Sequence, residues 1–270
     1  MNKKMSIAAV LAGLAVLAGV VLAFKGRGLQ PEQREALLGM KPGAAAKGFA
    51  VVELFTSEGC SSCPPADALV ASVQKQDKDL PVYVLAFHVD YWDRLGWKDA
   101  FSNAAYSERQ KEYAEWLHLS SIYTPQVVVN GQKEFVGSDA GALHRAINNG
   151  LQAAPEAQLT LGDVRLSGGK LSWQAHADGA GAGGNLRLVV AVVEHDANTH
   201  VLSGENGGKT LSHVQIVRGL DRVSLNGKGD AAGRLDWPEG MSASGGEVIA
   251  FLQHVRDGKI VAATRSAVTS

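Results

Sequence analysis

The stretch Glu53-Leu54-Phe55-Thr56-Ser57-Glu58-Gly59-Cys60-Ser61-Ser62-Cys63-Pro64-Pro65 decides how the chain is to be read. It leaves an apolar run beginning at Ala50, passes through a short turn, and enters residues 61–76, where Ala68, Leu69 and Val73 recur at helical spacing. Strand, turn and helix in that order put Cys60 at a helix N-terminus. There, unpaired amides and the positive end of the helix dipole lower a cysteine pKa from about 8.5 toward neutrality. Cys63, one helical turn on, reaches back to Cys60, so a mixed disulfide on Cys60 would be resolved within the chain. Pro64 and Pro65 are tolerated because the first helical turn lacks amide partners in any case.

These are the only two cysteines among 270 residues, so a framework of several disulfides is excluded and the pair reads as chemistry or metal binding first. Lys and Arg total 26 against 27 Asp and Glu, which leaves no sustained positive field for a nucleic-acid backbone.

At the N-terminus Lys3 and Lys4 precede an uncharged run from Ile7 to Phe24. As a helix it would reach about 27 Å, close to a bilayer's apolar thickness. Residues 1–24 are therefore expected to be a signal peptide or membrane anchor. The flanking charges favour an exported body, periplasmic or held on the membrane facing the periplasm. Residues 25–47, rich in Gly, Pro and Ala, read as a tether.

From Phe49 the periods can be followed. After the first strand and helix, Pro81 opens a second strand, Val82 to Phe87. A helix follows around 104–119, with Tyr106, Tyr113, Trp116 and Leu117 on one face. Two short strands flank Asn130-Gly131, a dipeptide suited to the positive φ of a tight hairpin, and Asp139 caps a last helix to about Leu151. Beyond Pro155 glycine thickens and apolar residues alternate, as in Leu171, Trp173 and Ala175. The expected organisation is a mixed sheet flanked by helices over residues 48–154, then a small all-β, sandwich-like domain over 155–270.

The strand, the Cys60-x-x-Cys63 pair, the helix and Tyr123-Thr124-Pro125 before a hairpin resemble the thioredoxin superfamily over about residues 49–152. More narrowly, the stretch from Val52 to Asp67, with His88-Val89-Asp90-Tyr91-Trp92-Asp93 and Tyr123-Thr124-Pro125-Gln126, is similar to a bacterial family of exported thioredoxin-like proteins of unknown function. That likeness extends to Gly204-Glu205-Asn206 and Val217-Arg218. The resemblance implies a thioredoxin-like α/β domain, a cis Pro125 beside the cysteines, and Thr124 as the backbone edge that docks a substrate chain. Glu53 resembles the buried acid that relays a proton to the second cysteine, although it stands seven residues before Cys60, one more than in thioredoxin. Thioredoxin's Trp before the first cysteine is Gly59 here, and its Gly-Pro between the cysteines is Ser61-Ser62.

His88 and Asp90 follow the second strand, and in a parallel βαβ unit both strand ends open on one crevice, which brings His88 toward Cys60. It would steady a thiolate or trade protons with a leaving thiol. Three function classes stay open. The first is an envelope thiol–disulfide oxidoreductase with Cys60 as nucleophile and Cys63 resolving. It acts on a protein or small thiol/disulfide substrate, exchanges electrons with an envelope redox partner and needs no cofactor beyond its own disulfide. The second is a copper or zinc binding protein using Cys60, Cys63 and His88. The third is a non-catalytic binding module on the same scaffold. Tyr91, Trp92 and Trp97 are candidates for a groove wall or for core packing. Glu205, Asn206, His213 and Arg218 carry no assignment.

Overall fold

The computed structural model describes residues 47–179 and 185–269. The expected anchor, and the tether except for Lys47, lie outside the described residues. Among those described, no helix is long and apolar enough to cross a membrane.

Strand β1 (Ala50–Thr56) is buried along its whole length, as a strand covered on both faces must be. Helix α1 (Pro64–Gln76) follows, then β2 (Val82–His88), a 3-10 turn at Asp90–Leu95, and α2 (Ala104–Trp116), capped by Asn103 Oδ1 on the Ala105 amide. The hairpin β3 (Gln126–Val129) and β4 (Lys133–Val136) turns at Asn130 and Gly131, with φ of 49° and 69°. Asn130 also ties that turn to β1: its Oδ1 accepts the Val51 N–H at 2.7 Å. Helix α3 (Ala140–Gln152) starts at Asp139, whose Oδ1 accepts the Ala142 amide. Seven strands follow among the described residues: β5 (Gln158–Ser167), β6 (Lys170–Asp178), β7 (Leu186–His200), β8 (Thr210–Ser224), β9 (Asp230–Asp236), β10 (Gly246–His254) and β11 (Ile260–Ala267).

Eight strands form one mixed sheet in the order β11-β10-β7-β8-β2-β1-β3-β4, and β5-β6-β9 form a second, antiparallel sheet. The division expected at residues 154–155 therefore does not divide the main sheet: β2 meets β8 through the parallel pair Ala86–Ile216. The described residues fall in a single compact unit. The physical reason is that a long sheet edge left open beside β2 would be a pairing hazard, and β8 covers it.

The two-residue strand period then sorts the core. Leu188, Val190 and Val192 of β7 pack with Leu171 and Trp173 of the small sheet. Val189, Ala191 and Val193 turn to the other face, among Phe55, Phe87, Tyr106 and Tyr113. The two-sheet layering expected for the second half is present, but one of its layers is an extension of the first half's sheet.

Candidate functional site

The site grows from the end of β1. After Thr56 the chain turns tightly: the Gly59 amide donates to Ser57 Oγ (3.1 Å) and the Cys60 amide to the Ser57 carbonyl (3.1 Å). A second turn closes when the Cys63 amide donates to the Cys60 carbonyl at 3.2 Å. Cys60 and Cys63 are joined as a disulfide, with Cα atoms 5.4 Å apart.

Helix α1 begins only at Pro64, with Cys63 as its N-cap. Cys60 thus precedes the helix by a full turn instead of occupying its first turn. Pro64 and Pro65 carry no N–H, and the amides of Ala66 and Asp67 both donate to the Cys63 carbonyl. The donors expected to acidify Cys60 are therefore missing or committed elsewhere. Both cysteines are fully buried, although Ser61 and Ser62 between them are exposed.

Thr124-Pro125 is a cis peptide, and Pro125 leads directly into β3, where Gln126 pairs with Phe55 of β1. Trp92 links this edge to the cysteine turn. Its Nε1–H donates to Thr124 Oγ1 at 2.8 Å, and its Cβ lies against Gly59, where an added Cβ would come within 3.2 Å. Trp97 Nε1–H donates to Glu58 Oε2 at 2.7 Å, so it too borders the turn.

Behind the turn lies a buried polar group that the sequence reading largely missed. Thr56 and His88 are paired across β1 and β2, and both face α1. Thr56 Oγ1 donates to Asp67 Oδ2 at 3.2 Å, and His88 Nδ1 lies 2.7 Å from Asp99 Oδ2. Asp99 Oδ2 also accepts the Glu58 amide at 2.8 Å. From β8, His213 brings its ring within 4.8 Å of the His88 ring and its Nε2 to 3.5 Å from Glu58 Oε1. The last is an ion-pair distance, too long for a well-made hydrogen bond. Among the described residues, His88 Nε2 and both ring nitrogens of His213 have no hydrogen-bond partner.

Burial pushes the Asp67 carboxyl above its ordinary value, and His213 and His88 only partly offset this. For Glu58, burial also pushes upward, but His213, Thr199 and Trp97 outweigh it and hold the carboxyl below the usual range. For His88, burial pulls downward, and Asp99, Asp67 and Glu58 overcome it, so the imidazole is raised above its ordinary value.

Glu53 is not part of this group. Its carboxylate is held by Arg109 Nε and by Arg109 NH2 at 2.9 Å, and it accepts the Tyr113 hydroxyl. Arg109 is itself fully buried and bonded to Gln253 Oε1 at 3.2 Å. Strand alternation explains the misassignment. Glu53 shares a face with Val51 and Phe55, toward α2, whereas α1, with Cys63 at its N-cap and Asp67 in its first turn, covers the face of Thr56. The buried carboxyls on the cysteine side are those of Glu58, Asp67 and Asp99.

Of the three proposed metal ligands, the two sulfurs are bonded to each other, and His88 is held at Nδ1 by Asp99 with its Nε2 unpartnered; among the described residues no three His, Cys, Asp or Glu side chains are grouped to hold an ion. Asp90 instead accepts the Ser107 hydroxyl and anchors the start of α2.

The loop between β7 and β8 supplies further contacts. Asn206 Nδ2 donates to the carbonyls of Glu58 and Cys60, each at 2.9 Å, and Glu205 Oε2 accepts the Ser61 amide at 3.0 Å. The local sequence signal for these two residues was their place in the stretch that carries the family resemblance.

Comparison with known proteins agrees with this extent. The family described as a protein of unknown function, DUF1223, matches residues 51–253, and the chain belongs to that family. The match runs from β1 into β10, so the cysteine turn and the β7–β8 loop both lie inside it. No curated protein matches the chain. Among solved structures, protein AGR_C_4864 from Agrobacterium tumefaciens is 27% identical with a TM-score of 0.62, over 82% of this chain and 94% of that one. A domain of the outer membrane lipoprotein Omp28 from Porphyromonas gingivalis aligns over 42% of this chain and 96% of its own, at 12% identity and a TM-score of 0.26.

Proposed function

We propose that this member of the DUF1223 family is a thiol–disulfide oxidoreductase of the cell envelope, built on a thioredoxin-like scaffold. The observation that carries the reading is the Cys60–Cys63 disulfide in the turn between β1 and α1, which Trp92 links to the Thr124-Pro125 edge. A disulfide between cysteines three positions apart closes only a small ring. That ring suits a reversible two-electron store better than a structural staple, because it removes little freedom from the unfolded chain. The export reading rests on the apolar run from Ile7 to Phe24 and on the persistence of disulfides in oxidising compartments.

In the reducing direction the Cys60 thiolate attacks a substrate disulfide, and the substrate's leaving sulfur departs with the electron pair and takes a proton. Cys63, having given up its proton, then attacks the Cys60 sulfur of the mixed disulfide and displaces the substrate's second sulfur, which leaves with its electron pair and takes a proton. The substrate gains two electrons and the Cys60–Cys63 bond re-forms. The oxidising direction is the reverse. Thr124 and Pro125 form the edge against which a substrate chain lies.

Trapping tests this. In the full chain expressed with its N-terminal segment, Cys63→Ser should accumulate mixed disulfides through Cys60 that dithiothreitol releases, and the additional Cys60→Ser change should abolish them. Recovery of no adduct with Cys63→Ser, in cells where the wild-type pair cycles between oxidised and reduced forms, overturns the assigned order of attack. A pair that never cycles overturns the function.

A further inference from the structure

The cysteine turn is gripped from far along the chain. Asn206, itself fully buried, spends both protons of its amide on the turn, one on the Glu58 carbonyl and one on the Cys60 carbonyl. Glu205 takes the Ser61 amide, which lies between the two cysteines. The loop that carries them is braced by its own bonds, Gly208 N–H to Val201 O at 2.8 Å and Lys209 Nζ to Asn206 Oδ1 at 3.0 Å. It also leans on the 3-10 segment, where the Ser203 hydroxyl donates to the Gly96 carbonyl. Gly204, at φ 75°, packs so near Trp97 that a Cβ there would lie 3.3 Å from the Trp97 Cβ.

We propose that Asn206 and Glu205 are positioning residues of the cysteine turn: while they hold its backbone the disulfide stays closed to attacking thiols, and their release exposes Cys60. Two facts lead there. Attack on a disulfide requires a thiolate to approach the sulfur along the S–S axis, and both cysteines are enclosed. The enclosure is held at this loop by side-chain hydrogen bonds to main-chain atoms of one short turn, and such loop contacts open locally at far lower cost than the sheet unfolds. The proposal rests on the oxidoreductase reading for its purpose, but its chemistry is testable with a small reagent alone.

The experiment measures the second-order rate of reduction of the full chain by dithiothreitol at fixed pH, well below the unfolding temperature. A reagent thiolate attacks Cys60, the Cys60–Cys63 bond breaks, and Cys63 leaves with the electron pair and takes a proton. The second reagent thiol, deprotonated, then displaces Cys60, so the pair gains two electrons and the reagent loses two. Asn206→Ala and Glu205→Ala should each be reduced about tenfold faster, equivalent to about 1.4 kcal/mol. Glu205→Gln, whose amide oxygen still accepts the Ser61 N–H, should stay near the wild-type rate. Asp139→Ala, which removes the α3 cap, serves as a destabilised control and should leave the rate unchanged.

Unchanged rates in both alanine variants overturn the proposal, as does an acceleration that Asp139→Ala reproduces at equal loss of stability. If Asn206→Ala does not fold, the exposed Glu205 carries the test by itself through its Ala and Gln variants. The oxidoreductase reading fails separately: reduction rates can shift as stated while Cys63→Ser traps nothing.

Discussion

His88 Nδ1 and Asp99 Oδ2 stand 2.7 Å apart with both side chains sealed from solvent. The pair sets a pH window for stability. His88 is raised above its ordinary value of 6.5, so its contribution is complete below that value and is lost as pH rises through the folded pKa. Asp99 is a carboxyl that burial pushes up, but the His88 charge and the bonds from His88, Glu58 and Phe101 hold it below its ordinary 3.8. Its contribution is present above that value and is lost as pH falls through the folded pKa. The pair's own contribution to the urea midpoint should therefore be greatest between about pH 4 and 6.5 and decline on either side. Asp99→Asn should cost about 3–5 kcal/mol near pH 6, because it leaves a buried imidazole without its counter-charge. It should also flatten the alkaline decline. A decline of the same steepness in the variant would show that His88 is not its source.

Glu53 and Arg109 give a second test, one that separates structure from redox chemistry. Arg109→Met leaves the Glu53 carboxylate buried and unpaired, and should cost about 3–5 kcal/mol in urea unfolding. Glu53→Gln should destabilise in the same sense. In the folded protein, however, the pH profile of Cys63 alkylation, measured in the Cys60→Ser background, should not move. A moved profile would restore Glu53 as a proton relay.

Asp67 is expected to behave oppositely. Its carboxyl is raised chiefly by burial, so ionisation opposes folding as pH climbs above the unfolded value of 3.8. Asp67→Asn keeps an oxygen for the Thr56 hydroxyl and removes the buried charge. The variant should have a higher urea midpoint at pH 7, and the gain should vanish below about pH 4, where the wild-type carboxyl is neutral in both states. Equal midpoints across the range would mean that Asp67 ionises at no cost.

Reduction of the disulfide should change stability only modestly. A closed ring of about four residues removes roughly 2 kcal/mol of loop entropy from the unfolded chain. Oxidised and reduced protein compared by urea unfolding should differ by about that much or less. A loss above about 5 kcal/mol would mark the bond as a structural staple and argue against cycling.

Much of this was visible in local sequence. The positive φ at Asn130 and Gly131, the cap at Asp139, the buried strand from Ala50 and the buried face of α2 each follow from residues within a few positions of one another. The cysteine turn was legible as a unit, but its position against the helix was misread. A helix opening at Ser61 would need amide protons from Pro64 and Pro65 for its first bonds to the Cys60 and Ser61 carbonyls, so α1 opens at Pro64, a consequence of the two prolines that spacing alone does not reveal. Glu53 was misread because its distance from Cys60 was counted while its face on β1 was not.

The sequence by itself determined the elements, the placement of the only two cysteines at a strand-to-helix turn, and the Thr-Pro edge, since each depends on backbone preferences and on periods that repeat within a dozen residues. Tertiary structure alone decided that β8 would lie beside β2. That pairing carries His213 to His88, and the loop before β8 brings Glu205 and Asn206 onto the cysteine turn. These contacts join residues more than a hundred positions apart. No local preference encodes them, because they arise only when whole apolar faces have chosen their partners and the polar groups between them must find one another away from water.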